Sequence, residues 1–248
     1  MRYFSCDGLS LATIWHCFGN HMHRVELDQV LKMLSASGTN VIPVNTHLLD
    51  GGRRRDDLLI GFGNVTFDGL AAAKDISQYI LMVNVNHQTT AAAAVEKTLI
   101  AADMTGIETI KLEVLSEDLK SSNDVALVNA VQMLRTRRPD LRLMPLHSNE
   151  PAVAQELVEA GCPLLRVMGG SIGSGAGIID EPSFEACCRL GLPVVLDGGV
   201  GDADDYLVAT RLGASGCLVN SMLFERGQEP DEVLGDFVAS ALREPATA

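Results

Sequence analysis

Short apolar, β-branched runs alternate with amphipathic stretches almost from end to end of this chain. The runs Ala12–Cys17, Asn40–Val44, Ile80–Val85, Ile107–Val114, Leu141–Leu146, Leu164–Met168, Val194–Leu196 and Cys217–Val219 have the length and composition of buried strands. Between them, Val25, Leu27, Val30, Leu31 and Leu34 recur at helical spacing, as do Val153, Leu157 and Val158. Pro151 opens this second stretch and Gly161 closes it, while Gly191-Leu192-Pro193 and Leu212-Gly213 mark further boundaries. About eight strand–helix alternations predict an α/β fold, a parallel sheet closed into a (β/α)8 TIM barrel that takes in residues 1–248 as one domain. An open doubly wound sheet is the alternative. The segment Asn45–Leu70 fits the pattern worst, because Gly51-Gly52-Arg53-Arg54-Arg55-Asp56-Asp57 demands an unusually long loop, and the tail after about Ala239 is expected to fray.

Composition narrows the function classes. A net charge of −13 argues against nucleic acid, which needs a basic surface to neutralise phosphates. No apolar run reaches the ~18 residues of a membrane span, and the N-terminus lacks the apolar core of a secretory signal, so a cytoplasmic enzyme without a membrane partner is expected. The six cysteines (Cys6, Cys17, Cys162, Cys187, Cys188 and Cys217) have no CxxC spacing and sit mostly in apolar stretches, so reduced, buried thiols are expected. A persulfide carrier would best suit Cys187 or Cys188. His21 and His23 form only a weak HxH signal, and no metal site is predicted.

One run breaks the apolar pattern. Ile107-Glu108-Thr109-Ile110-Lys111-Leu112-Glu113-Val114 places Lys111 and Glu113 on the same face of a buried strand, roughly 7 Å apart along it. Buried charge is costly unless paired or used. A lysine among apolar neighbours loses its proton easily and can then attack a carbonyl to form a Schiff base; a purely structural Lys–Glu pair is the plainer alternative. Other predicted strand ends carry His47, Asn86, His87, His147, Asp197, Asn220 and Ser221, which suggests a polar cavity at the end where barrel enzymes work. The glycine-rich segment Gly169–Gly177, which contains Gly173 and Ser174, follows the sixth run, and Gly198-Gly199-Val200-Gly201 follows the seventh. With Asn220-Ser221 these suggest an anion nest for a phosphorylated substrate. Asp197 would repel phosphate and suits acid/base work better.

From about Ile107 to Arg243 the chain resembles the thiazole synthases of thiamine biosynthesis, which are barrel enzymes. The resemblance rests on Ile110-Lys111-Leu112-Glu113-Val114, Ile172-Gly173-Ser174-Gly175, Val195-Leu196-Asp197-Gly198-Gly199-Val200-Gly201 and Leu218-Val219-Asn220-Ser221, in family order. It implies that Lys111 is the Schiff-base residue, which in the family forms an imine with a phosphorylated ketose, with Glu113 and Asp197 as acid/base partners. It implies that Gly173, Ser174, Gly198, Gly199, Asn220 and Ser221 hold the ligand or its phosphate. It also implies a ubiquitin-like sulfur carrier protein that delivers sulfur from a C-terminal thiocarboxylate, and no redox cofactor. A homo-oligomer is expected.

The first hundred residues depart from the family. A VAVRR-like run is here Ile42-Pro43-Val44-Asn45-Thr46-His47, a PNTAG-like segment is Val85-Asn86-His87-Gln88-Thr89, and a PYC-like strand end is Pro145-Leu146-His147. Ser171 replaces the proline of PIGSG, and Ser221 the threonine of NTA. The lysine machinery is retained while a possible substrate wall of His47, Asn86, His87 and His147 differs, which suits a more hydroxylated sugar. The expected activity is therefore that of a paralogue resembling 2-thiosugar-phosphate synthases, acting on a hexose phosphate such as glucose 6-phosphate. Thiazole synthesis from 1-deoxy-D-xylulose 5-phosphate is the first alternative, a Schiff-base aldolase the second, and a non-catalytic phosphosugar-binding protein the third. Arg53-Arg54-Arg55 is either a solvated charge run or a dock for an acidic carrier.

Overall fold

The computed structural model describes residues 1–20, 22–49, 54–225 and 227–243. It opens with an antiparallel hairpin, β1 (Tyr3–Cys6) and β2 (Leu9–Ala12), turned by Asp7-Gly8, both at positive φ. Eight parallel strands follow: β3 (Ile14–His16), β4 (Val41–Asn45), β5 (Ile80–Val85), β6 (Thr109–Leu112), β7 (Arg142–His147), β8 (Leu165–Val167), β9 (Val194–Asp197) and β10 (Gly216–Val219). They are ordered β3-β10-β9-β8-β7-β6-β5-β4, a nearly closed barrel, as the alternating pattern predicts. The helices α1 (Leu27–Ser37), α2 (Phe67–Ala73), α3 (Ala91–Thr105), α4 (Asp124–Arg137), α5 (Pro151–Glu159), α6 (Glu181–Cys188), α7 (Ala203–Arg211) and α8 (Pro230–Ala241) alternate with the strands. None is long and apolar enough to cross a membrane.

The run expected as a single strand from Ala12 to Cys17 is two strands. Thr13 is the joint: its N–H donates to the Arg2 carbonyl in the hairpin, and its own carbonyl accepts from Cys217 in the barrel. The hairpin closes the floor, where Leu11 and Trp15 pack with Val41, Met82, Met144, Leu164 and Val195. Arg142 pairs with Asp7 at 3.0 Å and ties the hairpin to β7. Above this apolar layer the barrel's inward side chains become polar and charged.

The segment 45–70 is less loose than its composition suggests. Leu59 bridges both Asn45 and Thr66, Leu58 and Ile60 are fully buried, and Thr66 caps α2. Arg54 pairs with Asp57 (2.9 Å) and Arg55 with Asp68 (2.8 Å), so these two guanidinium groups fasten the chain to itself; Arg53 lies outside the described residues. At the other end, α8 continues past Ala239 to Ala241, which is buried.

Candidate active site

Strand parity turns Lys111 and Glu113 inward, as the sequence requires, but their surroundings are not apolar. Lys111 Nζ donates to Glu113 Oε1 at 2.8 Å and lies 3.8 Å from Asp197 Oδ2. Arg166, on β8 and wholly buried, donates through Nη2 to Glu113 Oε1 (2.7 Å) and through Nε to Asp197 Oδ2 (2.7 Å). Two cations and two carboxylates thus form a buried, charge-neutral square. Burial and Arg166 both push the Lys111 ammonium down, but Glu113 and Asp197 outweigh them, and its pKa lies above the ordinary lysine value. Free Lys111 is therefore an ammonium that would have to hand off a proton before acting as a nucleophile, contrary to the expectation of an easily neutralised amine. Burial pushes the Glu113 carboxyl up, but Lys111 and Arg166 more than offset this and hold it at about 2, so it rests as a proton acceptor.

Arg166 was missed in the sequence, although Leu165-Arg166-Val167 carries the same signal as Lys111, a charge inside an apolar strand.

Three of the square's four members, Lys111, Glu113 and Asp197, line a cavity of about 990 Å³ at the carboxyl ends of the strands. At one side the cavity is lined by Gly173, Ser174, Gly198, Gly199, Asn220 and Ser221. Gly199 has φ +87°, and a Cβ there would sit 2.6 Å from both Gly170 N and Gly177 O. Only glycine lets the two loops cross this closely. The start of α7 is not open to an anion, because Asp202 and Asp205 form its capping box and Gly201 N–H donates to Asp205 (2.7 Å). Lys120, also missed in the sequence, lines the same side, and its carbonyl accepts from Ile172 N–H (2.9 Å), joining two loops of the rim.

The wall across from these loops contains Asn84, Asn86, His87 and Phe62, whereas Cys17, which follows β3 beside β10, lines the cavity next to Asn220. The buried side-chain oxygens of Asn84, Asn86 and Asn220 have no hydrogen-bond donor among the described residues. Two of the expected wall residues stand elsewhere. Leu146 faces the cavity, so His147 faces outward on the same strand; it is wholly buried, its Nδ1 donates to the Ser148 carbonyl at 2.6 Å, and burial lowers its pKa to about 4. His47 stacks on Phe62, with ring centroids 4.7 Å apart, and does not itself line the cavity. Cys187 and Cys188 are remote from it, and burial pushes their thiols up to about 11 and about 12, which disfavours the thiolate a persulfide carrier needs. His23 stacks on Phe224 at the rim; His21 is outside the described residues.

Residues 25–237 match the family described as "Thiazole biosynthesis protein ThiG". The chain belongs to the thiazole synthase family. The thiazole synthase of Nitrosomonas eutropha is 30% identical over 191 residues, covering 76% of this chain and 67% of that protein. That of Chlorobium phaeobacteroides is 27% identical over 217 residues, covering 87% and 78%. Among solved structures, the Amycolatopsis orientalis BexX/CysO complex superposes with a TM-score of 0.82 at 26% identity, covering 100% of this chain and 99% of the matched one. Thiamine phosphate pyrophosphorylase from Pyrococcus furiosus, at 14% identity and a TM-score of 0.60, shares the fold. Membership makes this chain a sulfur-incorporating enzyme of the thiazole synthase type.

Proposed function

We propose that this thiazole-synthase-type enzyme installs sulfur in a hexose phosphate such as glucose 6-phosphate, giving a 2-thiosugar phosphate. The observation that carries this reading is the pairing of one reactive amine with a hydroxyl-seeking wall. Lys111 stands between two carboxylates, and Asn84 and Asn86 hold buried oxygens without donors among the described residues. A buried acceptor without a donor costs ~1–3 kcal/mol, and a polyhydroxylated substrate supplies the donors.

The chemistry balances without redox change. Lys111 gives up its proton to Glu113 or water, adds to the open-chain aldehyde at C1, and water leaves to form the imine. Glu113 or Asp197 removes the C2 proton and a proton returns at C1, so the carbonyl moves to C2. The thiocarboxylate sulfur of a carrier protein bonds to C2. The acyl group passes from that sulfur to the C2 oxygen, and the carrier leaves as a carboxylate that takes this oxygen with it, so C2 is left as a thiocarbonyl. A proton moves from C1 back to C2, which restores the imine beside a C2 thiol, and water then releases the thiosugar from Lys111. In net terms a C2 hydroxyl becomes a thiol, and a thiocarboxylate becomes a carboxylate. The glycine loops with Ser174, Asn220 and Ser221 bind the phosphate, and Lys120 offers a countercharge. The two-protein Amycolatopsis complex supports a protein partner as the sulfur donor, and the open mouth of the cavity is where it would dock.

Incubation with glucose 6-phosphate or 1-deoxy-D-xylulose 5-phosphate, followed by borohydride and intact mass, tests the reading. A hexose-phosphate adduct on Lys111, absent in Lys111→Ala, is expected. An adduct from the pentulose alone would return the chain to thiazole formation, the activity named for its relatives. An adduct that survives in Lys111→Ala would remove the imine from the scheme.

A further inference from the structure

Asn45, Asn84 and Lys111 stand side by side on the inner face of three adjacent strands, Asn45 opposite Asn84 and Asn84 opposite Lys111. Asn45 Nδ2 donates to the Gly61 carbonyl at 2.9 Å, a group that can only accept. The Asn45 Oδ1 is thereby turned to Asn84, whose Nδ2 donates to it at 2.7 Å. This chain of donors fixes an amide that coordinates alone would leave ambiguous. With the amide turned this way, Asn84 Oδ1 is buried and without a donor among the described residues, on a side chain that lines the cavity beside Lys111. The other two cavity-lining asparagine oxygens without donors, on Asn86 and Asn220, have no such relay behind them among the described residues.

We propose that Asn84 Oδ1 selects substrates bearing a hydroxyl on the carbon next to the one bonded to Lys111, and that Asn45 is a positioning residue that keeps this oxygen turned to the substrate. The inference rests on the imine with a hexose phosphate proposed above, where that hydroxyl is the one on C2. Neighbouring strands lie ~4.8 Å apart, so a side chain as short as asparagine meets substituents close to the lysine nitrogen rather than the distant end of the sugar. A site built to bond a hydroxyl rejects the analogue that lacks it, because its own polar atom is left bare.

The test compares trapping of glucose 6-phosphate and 2-deoxyglucose 6-phosphate on Lys111 in the wild type, Asn84→Ala and Asn45→Leu, with melting temperatures recorded for each. The wild type should favour glucose 6-phosphate by at least about tenfold after correction for open-chain content. Both variants should compress that preference towards unity. The change in ratio between proteins cancels the sugars' intrinsic differences, and a purely structural role for either asparagine would slow both sugars alike. Equal trapping of the two sugars by the wild type overturns the inference even if neither variant folds, and so does a preference unchanged in a folded Asn84→Ala. Absence of an adduct from both sugars overturns the hexose-phosphate reading instead, and the inference falls with it.

Discussion

Replacing Arg166 with methionine removes one cation from the buried square and keeps most of the side chain's bulk. Lys111 Nζ and Arg166 Nη2 both contact Glu113 Oε1, at 2.8 and 2.7 Å, and Arg166 also holds Asp197. Shared contact with one oxygen keeps the two cations within roughly 5 Å, where their repulsion at an effective dielectric constant of about 20 is roughly 3 kcal/mol. Without it, Lys111 faces two carboxylates alone, and its already raised pKa climbs further. A repulsion of that size corresponds to a roughly 100-fold fall in free amine at fixed pH. Initial rates of trapping with glucose 6-phosphate and cyanoborohydride, followed from about pH 6 to about pH 10, should fall by roughly that factor on the rising limb, which should move to higher pH. Arg166→Lys retains the charge and loses the planar fork, so its limb should stay near the wild-type position while the rate drops. The methionine variant also leaves a buried carboxylate uncompensated, a loss of ~3–5 kcal/mol in stability, so melting curves must set the assay temperature. A folded Arg166→Met enzyme with the wild-type rate and pH dependence would refute the view that this guanidinium tunes the lysine.

Acid stability offers two further tests. The Glu113 carboxyl is held at about 2 against an ordinary 4.5, so its contribution is present above pH 4.5 and is lost as pH falls towards 2, about 3 kcal/mol in all. Glu113→Gln should be less stable to urea at neutral pH and lose less on acidification; an acid slope equal to wild type would contradict the ion square. Burial lowers His16 and His147 from 6.5 to about 4, so the unfolded chain takes up protons first and stability falls as pH drops across that window, by up to about 3 kcal/mol for each. His147→Gln should remove about half of the combined effect in urea melts at about pH 7 and about pH 5. Gly199→Ala would place a methyl 2.6 Å from Gly170 N and Gly177 O at a φ of +87°; it should cost at least about 2 kcal/mol and weaken protection by inorganic phosphate, and an unchanged urea midpoint would count against the tight loop crossing.

The barrel was legible because its signal is repeated: eight apolar runs and their helical partners each restate the same architecture. The hairpin was not, since Tyr3-Phe4-Ser5-Cys6 is short and mixed, and Thr13 leaves no mark of the joint it forms. Lys111 stood out as a charge in an apolar strand, and Arg166 carried the same anomaly without a family motif to draw attention to it. The proton state of Lys111 could not be read from its neighbours in sequence, because Asp197 and Arg166, which decide it, come from strands far along the chain. His47 and His147 follow strand ends as expected, but which way each ring turns depends on strand parity and on Phe62, features a list of strand-end residues does not contain.

The floor of the barrel has a kinetic meaning. With Leu11 and Trp15 sealing one end, the described residues leave the carboxyl-end mouth for traffic in both directions. On the function proposed above, and with a protein donor that covers that mouth, a sugar destined for Lys111 would have to be aboard first, and the finished product could not leave until the donor departs. Addition in compulsory order would follow, with donor release inside the catalytic cycle. In steady state, excess donor would then slow turnover by occupying the empty enzyme, and raising the sugar concentration would relieve the block.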